Sequence, residues 1–176
     1  LPFLISDPEI TNSSFRRFPV EIDGAQYARF LVWDEEQKKH ARNLAVVMRT
    51  LSAESEGNAE GFFAAFHHDA RFWINGDTAA SGSRRGLAAM KALFAAFMVQ
   101  LPAGFSQTIV NAYVTGDHVI TETLGRATTL AGQIYKGTYC QVWKFEHTQI
   151  VELAVYLDTK LLAETLPADR WPAQNS

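Results

Sequence analysis

An α+β fold is predicted, with helices packed on one face of a curved antiparallel sheet, and three observations predict it. Helical periodicities recur between residues 35 and 100, alternating runs dominate residues 107 to 157, and short turn signals separate those runs. Helices followed by consecutive strands naturally enclose a cone. A hydrophobic fraction of 47% against 20% charged residues supplies the core such a fold needs, within one domain of 176 residues.

Residues 1–34 carry Pro2, Pro8 and a Thr-Asn-Ser-Ser run without period, and read as an arm with a small hairpin across Phe18 to Tyr27, turning at Asp23-Gly24. The main domain is expected over residues 35–166. Asp34 and Gln37 have capping-box spacing, and Ala41, Leu44, Ala45, Val47, Met48 and Leu51 predict a helix over residues 35–54. A second, short helix is expected over residues 59–67, with Phe62, Phe63 and Phe66 inward. Phe72-Trp73-Ile74 reads as the first strand. Glycines and serines make residues 76–86 an exposed loop, and a helix over 87–100 follows, with Phe97 on its inner side. Strands are predicted over residues 107–115, 118–130, 133–145 and 150–157. Residues 167–176 form a tail.

The last two strands hold the candidate chemistry. In the first, Thr138, Cys140, Val142 and Lys144 share one face and Tyr139, Gln141, Trp143 and Phe145 the other. Tyr139, Trp143, Val151, Leu153 and Val155 fall at outward parity, which predicts a homodimer through the sheet. Asp158 shares parity with Tyr156. Either Asp158 caps a helix starting at Thr159, or it lies in an apolar pocket where burial disfavours its charge and fits it for general acid/base work. Tyr156, Tyr139, Trp73 and Asn75 are the candidate hydrogen-bond donors beside it. Aromatic residues in such positions also serve simply as core.

Other classes are excluded. A net charge of −3 with scattered Lys and Arg gives no surface for nucleic acid. No apolar run reaches the ~20 residues that span a bilayer, and residues 1–14 lack a signal-peptide pattern, so a cytoplasmic protein is expected, with an upstream targeting segment left open. The lone Cys140 reads as a packed core residue. His67-His68-Asp69, placed on a helix, would point too far apart to share one metal ion.

Val142-Trp-Lys-Phe-Glu-His-Thr-Gln-Ile-Val-Glu-Leu-Ala-Val-Tyr-Leu-Asp-Thr159 resembles the SnoaL-like polyketide cyclase and ketosteroid isomerase-like group. Phe66-His-His-Asp-Ala-Arg-Phe-Trp73 and Ser83-Arg-Arg-Gly-Leu-Ala-Ala-Met90 resemble its passages into the first strand and the third helix. The resemblance covers residues 36 to 165. It implies a cystatin-like, nuclear transport factor two-like cone with a deep apolar pocket, usually dimeric, with no metal or organic cofactor. It also places Asp158 at the acid/base aspartate of the cyclases. Thr123 and Gly125 stand where the epoxide hydrolase-like members have arginine and aspartate, so that triad is absent. The steroid isomerase-like aspartate would fall at Asp77 or at Ile74, depending on the end counted from. The implied function is a cofactor-independent isomerase, cyclase or dehydratase acting on a hydrophobic cyclic carbonyl or polyketide-like molecule. Phe97, Trp73, Asn75 and Tyr139 would contact the substrate. The alternative is a non-catalytic domain of the same fold that binds a small molecule or dimerises.

Overall fold

The computed structural model describes residues 24–172, with side chains from Glu35 onward. The chain divides into two compact units, residues 1–34 and 35–176. Helix α1 is Gly24–Ser55 and therefore starts upstream of the predicted Asp34 cap. Residues 25–31 hold no helix breaker, and Gly24 opens the helix instead of turning a hairpin; the predicted first arm of that hairpin lies outside the described residues. The buried stripe of α1 is also rotated from the predicted one. Met48 is 53% exposed, while Asn43, Thr50 and Glu54 are buried beside Val46, Val47 and Leu51.

Helix α2, Ala59–Phe63, is capped by the Asn58 side chain, which accepts from the Gly61 amide at 2.9 Å. It ends earlier than predicted because strand β1, Phe66–Ile74, takes the following residues into the sheet. His67, His68 and Asp69 thus lie on a strand. There the Arg85 guanidinium grips the Asp69 carboxylate at 2.9 and 2.5 Å and holds its pKa down. The predicted loop over 76–86 contains an edge strand, β2, Gly82–Arg85. Helix α3, Leu87–Met98, precedes strands β3, Phe105–Thr115; β4, His118–Thr128; β5, Ile134–Glu146; and β6, Gln149–Leu157. A short helix α4, Thr159–Thr165, and a 3₁₀ turn at Ala168–Arg170 complete the described chain.

The fold is α+β, with a six-stranded curved sheet in the order β2-β1-β6-β5-β4-β3. All pairs are antiparallel except β1 with β6, which run parallel, a departure from the predicted antiparallel sheet. Its inner face meets an aromatic cluster from the helices in which the Phe62 and Phe94 rings stack at 4.9 Å. Each fully buried ring there is worth about 1.5–3 kcal/mol of transfer free energy.

The parity predicted for β5 and β6 is inverted. Tyr139, Trp143, Leu153 and Val155 are buried in the core, so the apolar patch expected to carry a homodimer is interior packing. Tyr156 faces out at 46% exposure. Both faces of these strands are apolar in sequence, and a bulge at Val151 interrupts the alternation between the pairs Phe145 with Ile150 and Lys144 with Glu152. Among the described residues, no helix is long and apolar enough to cross a membrane.

Candidate active site

The inner face of the sheet and helices α1 to α4 enclose a cavity of about 90 Å³. Its walls are apolar, chiefly Phe62, Phe63, Phe94, Phe97 and Phe105, and among the described residues four polar side chains reach it: Glu54, Gln107, Tyr139 and Gln141. The volume suits a small ring or a few waters, and is below the ~300–1,000 Å³ of drug-sized ligand sites.

Glu54 sits near the C-terminal end of α1, on the same stripe as Val47 and Leu51. One carboxylate oxygen accepts a very short hydrogen bond from Gln107 Nε2. The other has no protein partner among the described residues, yet is not sealed from space, so it opens on the cavity. Burial lifts the Glu54 pKa from 4.5 to about 7, against the lowering effect of the Gln107 bond. Its helix end is pinned by strand β3, where the Gln107 amide N–H donates to Ser55 Oγ at 3.0 Å. Gln107 is itself oriented: Thr123 Oγ1 donates to its carbonyl at 2.6 Å, which turns the NH₂ end toward Glu54.

A parallel arrangement lies one strand over. Trp143 Nε1–H donates to Thr121 Oγ1 at 3.1 Å, and Thr121 Oγ1 donates to Gln141 Oε1 at 3.1 Å. Near the β3 and β5 ends, the Tyr135 and Tyr139 hydroxyls meet at 2.7 Å. Burial drives both phenols above their usual range, Tyr139 furthest, helped by Tyr135 and by the nearby Glu54 carboxylate. Glycines make room for this pair. A Cβ at Gly125 would lie 2.6 Å from the Tyr139 ring, and one at Gly137 would lie 2.8 Å from its hydroxyl.

The predicted site residues divide between the two faces of the sheet. Tyr139 and Phe97 line the cavity. Asp158 does not: it is exposed and caps α4, its Oδ1 accepting from the Leu161 amide at 3.0 Å. Tyr156 points outward and packs edge-on against Trp73 at 5.2 Å, which removes both from the cavity. Asn75 bridges strand ends through Leu157, accepting its amide at 3.0 Å and donating to its carbonyl at 3.2 Å. Of the two remaining isomerase-type positions, Asp77 is exposed and Ile74 is a core residue. Glu54 was missed, although a carboxylate on the apolar stripe of a helix is a readable signal.

A family model for the SnoaL-like domain matches residues 47–153. No curated protein matches the sequence. Among solved structures, a nuclear transport factor two-like protein of Burkholderia pseudomallei K96243 is similar with a TM-score of 0.66 at 18% identity, covering 72% of this chain and 98% of that one. TerC co-crystallised with polyporic acid gives 0.64 at 18%, covering 71% and 98%. An LEH-like epoxide hydrolase of M. tuberculosis gives 0.58 at 17%, covering 73% and 91%. Other structures of this fold carry the names of a polyketide cyclase, a hydroxylase and an isomerase.

Proposed function

The chain belongs to the SnoaL-like family, and from that premise we propose that it is a cofactor-independent acid/base enzyme acting on a small, hydrophobic, cyclic carbonyl compound. One observation carries the reading: a buried carboxyl, Glu54, with a pKa near 7 and one oxygen open to an apolar cavity. A base poised near neutrality is matched to moving protons at ordinary pH. The Glu54 carboxylate takes a proton from the carbon beside the carbonyl, and the electron pair of that C–H bond moves onto the carbonyl oxygen as an enolate. Glu54 then returns the proton to another carbon or to oxygen. Isomerisation, aldol-type cyclisation and dehydration share this step. The ring packs against Phe97 and Tyr139.

The test is mass-spectrometric deuterium uptake into cyclohexanone and 2-cyclohexenone. Wild type is expected to show uptake whose rate rises with pH through about 7. Glu54→Gln should lose about a hundredfold or more, and Asp158→Asn should keep the wild-type rate. Equal uptake by wild type and Glu54→Gln removes Glu54 from the chemistry. Uptake by neither protein reassigns the cavity to ligand binding alone.

A further inference from the structure

We propose that Gln141 is the hydrogen-bond donor that receives the substrate's carbonyl oxygen, and that Thr121 and Trp143 position it for that role. The inference deepens the reading of the cavity as a ketone site and rests on it.

Direction in this relay is fixed at its origin. An indole N–H can only donate, so Thr121 Oγ1 must accept from Trp143. The threonine hydroxyl still has its own proton to place, and Gln141 Oε1 receives it. Thr121 and Gln141 stand directly opposite in the β4–β5 ladder, and both Thr121 and Trp143 are fully buried, so none of the three can readily turn. The amide carbonyl is thereby occupied. What remains is the NH₂ end.

Gln141 is 5% exposed and lines the cavity. Its Nε2 has no acceptor among the described residues, yet it is not among the buried polar atoms cut off from space, so it opens on the cavity. A buried donor without a partner costs stability unless a ligand satisfies it. The neighbouring glutamine uses the same device for a different end: Thr123 holds the Gln107 carbonyl and aims its NH₂ at Glu54. Thr121 and Thr123 are two apart on β4 and so face the same side. One strand therefore orients two amides, one toward the base and one toward empty space. A ketone oxygen is an acceptor without a proton of its own. It fits the second amide, and the hydrogen bond strengthens as charge develops on that oxygen.

The experiment compares cyclohexanone with methylenecyclohexane, which has the same shape without the oxygen, by NMR titration of the ¹⁵N-labelled full chain. Wild type should bind the ketone about fivefold or more tightly than the hydrocarbon, and only the ketone should shift the Gln141 side-chain amide protons downfield. Gln141→Met should bring the ratio to about one, through weaker ketone binding alone. Thr121→Val leaves Gln141 present but unheld, and it should lower the ratio and remove the amide shift. A wild-type ratio near one, including retention of neither compound, overturns the proposal, as does an unchanged ratio in Gln141→Met. Glu54→Gln separates the two readings. In that variant, loss of exchange with the ketone preference intact supports both; in wild type, exchange without any preference sinks Gln141 only, and preference without exchange sinks only the catalytic reading.

Discussion

Glu54 lies on a helix stripe that otherwise reads Val47 and Leu51, and its charge state is tied to folding. Burial raises its pKa from 4.5 to about 7. Between those values the folded protein keeps a proton that the unfolded chain releases, so this contribution to stability is full below about 4.5 and is lost as pH rises toward 7. The span corresponds to roughly 3 kcal/mol at one pKa unit per 1.36 kcal/mol. Glu54→Gln keeps the shape and loses the titration. Urea midpoints at pH 5 and pH 8 should therefore show the variant gaining on wild type at the higher pH; parallel changes in both proteins would mean that Glu54 ionises normally. The residue was legible in principle, since positions 47, 51 and 54 share a helical face. It was passed over because a charge at the end of a predicted helix ordinarily faces water. Gln141 was harder to see, because an amide becomes a site only through the Trp143 and Thr121 contacts that fix its direction.

At the scale of elements, the helices after residue 35 and the long hairpins were readable because their periods are strong, and β2 was hidden by its length and its glycines. Alternation could not decide which face of β5 and β6 turns inward. Both faces carry aromatic or branched residues, and the Val151 bulge resets the count just before Asp158. Asp158 then follows inward-facing Leu157 into the first turn of α4, where its carboxylate satisfies an orphan amide. Asp158→Ala should cost about 1 kcal/mol as lost capping, with deuterium exchange per folded molecule unchanged. A loss of exchange beyond about tenfold would restore a chemical role for that carboxylate.

Across the main unit as a whole, the cavity is closed partly by the last described residues. Trp171, only partly buried, stacks on Phe97 at 6.3 Å and forms part of the wall. With about 90 Å³ behind it, this indole limits substrate size. Trp171→Ala should raise the exchange rate of a two-ring ketone such as 2-tetralone relative to cyclohexanone by about threefold or more; an unchanged ratio would place the size limit in another part of the wall.

The parallel seam between β1 and β6 bears on how the molecule comes into being. Phe66 pairs with Ile150 and Ile74 with Val155, so β1, already joined to β2 by a short hairpin, must wait for β6 before it meets the rest of the sheet. Loop closure of that length is slow compared with the hairpins that join β3 to β6. Leu153 and Val155 on β6, together with Phe72 and Ile74 on β1, belong to the cavity wall. On the ribosome, a chain that has emerged only through β5 can pair β3, β4 and β5 and still have no chamber, because the β6 part of the wall is missing.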